Sequence, residues 1–462
     1  MNATSATTFD EVKQRFQKDL LAAMPEHIAR MSWSSEQIAS HQRTAVRRLL
    51  AHAIAHSPFH AHRLASLDPA RFELADLSSL PVMTKTDMMD NFDDVVTDRR
   101  LTMSAIRDHL STVGERPTLL AGEYLCLASG GSSGLRGLFA HSWDAVLGSV
   151  GAVLRPSFKR MLAGGGPPPG KLVIGLVAAP SAIHASRAGS AFLDGGAATV
   201  VQAPSTLPLA EIVARLNAGQ PQLLFGYPST LQMLAAEQAA NRLSIHPTAI
   251  SSIAEDLTAE ARDKITAAFA VEVTNSFTST EWLFGASEPG GDPITFASDL
   301  AIAELVDEQD RPVPIGTPSA RVLLTSLTST AQPLIRYALT DSFLRHPDSK
   351  DHGHLRATVA GRADDVFVYG NVRVHPMVIR SALVKASDVA EYQVRQTARG
   401  IDVDAVAIES LDQTALADRL KEALTKAGIS DAEVTVRRVP EIERNTATGK
   451  TRRFIPSRPA QP

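Results

Sequence analysis

The chain has 462 residues, too many for one ordinary domain and about right for one large and one small domain. Hydrophobic residues make up 44% and charged residues 21%, a globular profile, and the formal net charge of −4 with no basic stretch argues against a nucleic-acid partner. The opening segment lacks the cationic and apolar blocks of a secretory leader, and the longest apolar stretch (172–183), broken by Gly175, Pro180 and Ser181, is too short to span a bilayer.

In chain order, apolar positions spaced by three and four predict amphipathic helices over 9–24 and 38–55. A strand is expected over 124–128. It contains Cys126, the only cysteine, which reads as a buried small hydrophobe; a single thiol can form no internal disulfide, and a reducing cytoplasm is the expected compartment. Further on, short apolar runs at 172–179, 198–202, 223–226 and 271–273 alternate with helical patterns at 209–218 and 229–240, the signature of βαβ units and a largely parallel sheet. After residue 290 the pattern turns to antiparallel strands, at 301–307 and 320–327. A last section carries helices at 376–386 and 414–427 and strands at 391–396 and 403–409. The expected fold class is α/β, in two parts. Residues 1–361 form a large part with a parallel-rich sheet and a small antiparallel β subdomain, and 362–462 a small, mobile α+β domain.

Two glycine-rich segments compete as phosphate cradles. Gly164 to Lys171 fails, because three consecutive prolines supply no N–H donors and the segment precedes a strand instead of opening a helix. Ser129, Gly130, Gly131, Ser132, Ser133 and Gly134 follow the expected strand at 124–128. There glycines let the backbone fold around an anion and hydroxyls add donors, although such a loop by itself is more often a simple turn.

The order of the segments downstream adds weight. Phe225-Gly226-Tyr227-Pro228-Ser229, Ala254-Glu255-Asp256-Leu257-Thr258, Phe277-Thr278-Ser279-Thr280-Glu281, Pro333-Leu334-Ile335-Arg336-Tyr337 ending at Asp341, Gly361-Arg362-Ala363-Asp364-Asp365 and Gly449-Lys450 follow in that order. With Ser57-Pro58-Phe59 and the stretch from Leu80 to Asp87, this series resembles the phenylacetate–CoA ligase branch of the adenylate-forming superfamily over about residues 45–455. The resemblance implies ATP-dependent activation of a small, aromatic acid as its adenylate, then transfer to CoA. It places Lys450, Thr280, Glu281 and Arg362 in catalysis, with Glu281 holding Mg²⁺. It assigns ATP binding to Ser129, Gly131, Ser132, Ser133, Gly134, Glu255, Asn275, Ser276, Phe277, Thr278, Thr280, Asp341 and Arg362. Tyr227, His184, Phe277 and Trp282 face the acid, with core packing the competing reading for Tyr227 and Phe277 and a structural role the competing one for His184. Asp364 is the hinge. The implied partners are ATP, an acid, and CoA or an amine, with a homodimer left open and no membrane.

The chain also departs from that pattern. Leu135 stands where a loop lysine is usual and Arg136 where a proline is; Ala338 replaces an arginine; Thr278, Thr340 and Asn371 stand at glycine positions. These changes leave every charged residue of the ATP set in place but open the choice of acid and acceptor. The alternatives are an amide synthetase, a carrier-protein loading enzyme, an oxyacid-activating enzyme, and an inactive nucleotide-binding regulator.

Overall fold

A computed structural model describes residues 9–129, 137–166, 170–196, 198–362, 365–374, 376–383, 386, 389–407, 410–446 and 448–457. The two N-terminal helices run Phe9–Arg30 and Ser35–His56. Ser34 starts the second with a reciprocal box: its hydroxyl accepts from the Gln37 N–H while its own N–H donates to Gln37 Oε1. The stripe Ile38, Val46, Leu49, Leu50 and Ala53 is the buried face that the spacing anticipates.

A 21-residue helix, Trp143–Ala163, was not anticipated. Gly148, Gly151 and Pro156 lower its intrinsic propensity, but the helix is buried on most sides, so packing decides. At Gly151 a Cβ would lie 2.7 Å from His27 Nε2, so the glycine lets the first helix lie close against this one. A second unanticipated helix, Ala185–Leu193, covers the neighbouring part of the sheet.

Among the described residues the main sheet has nine strands. From one edge to the other they are Ala198–Gln202, Leu172–Val177, Leu223–Gly226, Ala249–Ile253, Val273–Thr278, Phe284–Ser287, Ile294–Phe296, Arg356–Arg362 and Asp341–Arg345. The first five are mutually parallel and the remaining pairings antiparallel. The strand expected at 271–273 therefore lies further along, over Val273–Thr278. Its polar residues break the apolar run but find partners in the sheet: Ser276 Oγ pairs with Ser251 Oγ at 2.7 Å, and Asn275 Oδ1 accepts from Ser252 Oγ at 3.1 Å.

Small antiparallel sheets complete the large part. Ala301–Val306, Arg321–Ser326 and Tyr337–Leu339 form one, and Leu119–Leu120, Tyr124–Ala128 and Leu138–His141 another. The C-terminal section has its own four-stranded sheet (Glu433–Arg438, Gly400–Ala407, Val389–Gln396, Phe454–Ile455), with helices Pro376–Leu383 and Gln413–Lys426. Ile379, Leu383, Val394, Ile401, Leu416 and Leu420 form a core separate from those of the large part. Among the described residues no helix is long and apolar enough to cross a membrane.

Candidate active site

Numbered in chain order, the five parallel strands run 2-1-3-4-5. Connections leave Leu172–Val177 and Leu223–Gly226 toward opposite sides, so a crevice opens at their carboxyl ends, where open α/β sheets bind ligands. Tyr227 fills that crevice. It is buried, and its hydroxyl accepts from the Ala179 N–H at 3.0 Å, which ties the two strand ends together.

Thr280 and Glu281 sit beside the crevice at the tip of the hairpin joining Val273–Thr278 to Phe284–Ser287. The Trp282 N–H donates to the Ser279 carbonyl at 3.2 Å and the Ser279 N–H to the Leu283 carbonyl at 3.1 Å, leaving Thr280 and Glu281 as the central residues of a tight turn. Trp282 closes it at φ 74°, a conformation costly for a bulky side chain. The surroundings hold it there: its indole N–H donates to the Ala145 carbonyl at 2.8 Å and its ring stacks on buried His141. Burial raises the Glu281 pKa; its own backbone N–H pulls the other way, Asp341 adds to the rise, and Lys85 and Arg362 oppose it.

Asp341 and Arg362 are partners across an antiparallel ladder, so the sheet register itself sets the two residues opposite each other. Thr340, at a position where the resemblance expects glycine, accepts from Arg362 Nη2 at 2.9 Å and helps orient it. Arg336 of the same motif is not a ligand. It reaches Glu304 at 3.0 and 3.1 Å and donates to the Ser78 and Leu80 carbonyls, fastening the N-terminal segment to the β subdomain.

The C-terminal section delivers Lys450 to the crevice, with Nζ 5.5 Å from the centre of the Tyr227 ring. Gly449 adopts φ 69°, and any Cβ there would collide with Ser205 Oγ, so glycine is required on two counts. The loop closes on itself through Asn445, whose N–H donates to the Lys450 carbonyl at 2.9 Å and whose side chain accepts from the Thr448 N–H at 2.9 Å. The bonds that dock it include Ser205 Oγ to the Thr448 carbonyl (2.9 Å), Arg444 Nη1 to Ser229 Oγ (2.9 Å), and the Thr451 N–H to Glu255 Oε1 (2.8 Å). Glu255 also accepts from the Ser229 N–H at 3.2 Å. Ala254, just before it, sits at φ 61°, in the left-handed region that an alanine adopts only when its surroundings hold it there. Loss of hydration lowers the Lys450 pKa; Glu255 opposes that shift and Arg362 reinforces it.

The glycine-rich segment is described only at its base. The Ser129 N–H donates to the Gly137 carbonyl (2.9 Å) and the Gly137 N–H to Ser129 Oγ (2.8 Å), so the segment bridges two paired strands. Gly131, Ser132, Ser133, Gly134 and the hinge residue Asp364 lie outside the described residues. Lys85, which sequence reasoning missed, donates to Ser129 Oγ at 3.2 Å and is close enough to Glu281 to lower its pKa. A box between Thr84 and Asp87 fixes Lys85 as the first residue of its helix; that local signal marks the helix start and not the contact to Ser129.

Strand alternation separates the remaining expected residues. Asn275 and Phe277 face one side of the sheet, where the Phe277 ring meets Phe296 and Phe343 at 5.6 and 5.2 Å. Ser276 and Thr278 face the other side. Thr278 and Trp282 line an apolar cavity there, whereas Phe277 and His184 are absent from its wall, His184 standing just before Ala185, which lines it.

This sheet, hairpin and docked C-terminal section form the fold of the adenylate-forming ligases. The chain superposes on 2-hydroxyisobutyryl-CoA ligase in the postadenylation state, in complex with 2-HIB-AMP, with a TM-score of 0.67 and 20% identity, covering 92% of this chain and 90% of the other. Against the same ligase with 2-HIB-AMP and CoA in the thioesterification state, the TM-score is 0.56 and the identity 19%, over 92% and 91%. The amide bond synthetase McbA from Marinactinospora thermotolerans gives 0.51 and 16%, over 68% and 65%. No protein-family model matches the sequence, and no curated protein matches it either.

Proposed function

We propose that this protein joins a small carboxylic acid to ATP as an acyl-adenylate, releasing pyrophosphate, and then passes the acyl group to CoA, in the manner of phenylacetate–CoA ligases. The observation that carries the reading is the seat of Lys450, a partly desolvated cation over Tyr227 in the crevice between the apolar cavity and the Glu281, Asp341 and Arg362 cluster. In the first step a carboxylate oxygen attacks the α-phosphorus and the bond to the bridging oxygen breaks. Lys450 offsets the charge gathering between the two reactants. Asp341 accepts from the ribose hydroxyls, Arg362 lies beside them, and Thr280 donates to the α-phosphate. Lys85, with Ser129 beside it, offers donors to the outer phosphates. In the second step the CoA sulfur attacks the carbonyl, AMP leaves, and the thiol proton passes to solvent.

The residues present fit Mg²⁺. Mg²⁺ needs only one or two carboxylates plus substrate phosphates, and Glu281 at the tip of the hairpin turn supplies such a carboxylate. Glu281 would hold it, and once bound it would screen the phosphate charge.

Exchange of labelled pyrophosphate into ATP, measured across a panel of acids, tests the reading. Acid-dependent exchange is expected, with CoA but not amines then discharging the adenylate. ATP binding without exchange for any acid would contradict it and leave a nucleotide-binding regulator.

A further inference from the structure

The peptide unit that joins Lys450 to Thr451 is held on both edges. Its carbonyl accepts from the Asn445 N–H at 2.9 Å, and its N–H donates to Glu255 Oε1 at 2.8 Å. A peptide unit is planar from one Cα to the next, so bonds on opposite edges fix its tilt. With the tilt are fixed the Lys450 Cα and the direction in which the side chain leaves. The Asn445 bond belongs to the C-terminal section alone. The Glu255 bond comes from the large part and refers the lysine to the crevice. Other docking bonds act further along the chain, as where Ser205 holds the Thr448 carbonyl and Arg444 reaches the Ser229 hydroxyl.

Glu255 is itself anchored. Its second oxygen, Oε2, accepts at 3.2 Å from the N–H of Ser229, the second residue of the helix Pro228–Ala239. An N–H in the first turn has no partner inside its helix, and negative charge is favoured at that end. The backbone beneath is equally constrained. The strand Ala249–Ile253 ends in a three-residue turn, in which the Glu255 N–H donates to the Ile253 carbonyl at 2.8 Å with Ala254 at φ 61°. Such a conformation persists in a residue other than glycine where the surroundings over-determine it, and these positions gather at functional sites. A carboxylate suits the task because it only accepts, on two oxygens, and its bonds to N–H donors are roughly twice as strong as neutral ones.

Resting on the acid-activating reading, we infer that Glu255 is a positioning residue for Lys450, in place of the nucleotide contact that the sequence resemblance implies. It acts on one cation by two routes. Through the backbone it sets where the side chain starts, and through space its charge favours the ammonium against the loss of hydration. Displacing a reacting group by about 1 Å can cost on the order of a hundredfold in rate. The rate of adenylation should therefore respond to Glu255 while ATP affinity does not.

The test measures single-turnover adenylate formation, with the acid that gives the fastest pyrophosphate exchange, beside equilibrium ATP binding and thermal melting. It compares the wild type with Glu255→Ala, Glu255→Gln, Lys450→Ala and the double variant Glu255→Ala with Lys450→Ala. Glu255→Ala should slow adenylation by about ten- to a hundredfold, with ATP affinity within about twofold of the wild type. Glu255→Gln, which keeps one acceptor oxygen but no charge, should fall between, and it carries the same comparison if loss of the whole side chain unfolds the protein. The double variant should be no slower than Lys450→Ala, since without the ammonium nothing is left to position. A tenfold or greater loss of ATP affinity in Glu255→Ala would overturn the inference and make Glu255 a nucleotide ligand. A double variant slower than Lys450→Ala by the full Glu255 factor, or a wild-type rate in the folded Glu255 variants, would overturn it as well and leave adenylation standing. A wild type that binds ATP but forms no adenylate with any acid would instead remove the reading beneath it.

Discussion

Lys450 gives up part of its hydration to reach the Tyr227 ring, which lowers its pKa, yet the nearby Glu255 carboxylate favours keeping its proton. A cation held this way costs little reorganisation at the moment of attack. Lys450→Ala should lower the adenylation rate by about a hundred- to a thousandfold, while ATP affinity, which rests on other residues, changes little. Single-turnover adenylate formation beside equilibrium ATP binding checks this; an unchanged rate would remove Lys450 from the chemistry. At this scale the motif positions single out Glu281, Asp341, Arg362 and Lys450, and the structure sets Asp341 and Arg362 near enough to Glu281, and Arg362 near enough to Lys450, to shift their pKa values. The sequence was not readable for Lys85, whose relevance arises from a contact to Ser129 across 44 positions that no local pattern encodes.

Motif residues also serve to hold elements together, and Arg336 is the plainest case. Its guanidinium joins Glu304 to the carbonyls of Ser78 and Leu80, and its backbone sits at φ 48°. Nearby, His60 Nε2 meets the Pro333 carbonyl at 3.0 Å, so the N-terminal signature staples the same segment. Removing one partner of a buried ion pair strands the other, so Arg336→Ala should cost about 3–5 kcal/mol. Urea unfolding measures it, and a loss below about 1 kcal/mol, the range of an exposed pair, would contradict the assignment. The elements themselves were legible in proportion to their periodicity. Both N-terminal helices and most parallel strands follow from spacing. The helix Trp143–Ala163 does not, because its glycines serve contacts with distant partners such as His27. The strand Val273–Thr278 does not either, because its polar residues are satisfied only once Ala249–Ile253 lies alongside.

Across the whole molecule, buried neutral histidines link stability to pH. Burial holds His60 down at about 4 and His141 at about 3, against an ordinary value of 6.5. Because the folded pKa is the lower one, the unfolded chain binds more protons between these values, and stability falls as pH drops below 6.5. At pH 5 each histidine should cost about 2 kcal/mol relative to neutral pH. Urea unfolding of His60→Gln should accordingly show a loss between pH 7 and 5 smaller by that amount; an undiminished loss would place the titration elsewhere. At the same scale, the parallel sheet feeding a crevice and a separately cored C-terminal section follow from the alternation of patterns along the chain. The docking of Lys450 onto Tyr227 depends on contacts between distant segments and needed the structure. The account as a whole stands on attack by the acid at the α-phosphorus of ATP. A carboxylic acid labelled with ¹⁸O in its carboxylate, turned over with ATP and CoA, should deliver one labelled oxygen to the phosphate of AMP. Unlabelled AMP, or label in inorganic phosphate instead, would contradict it.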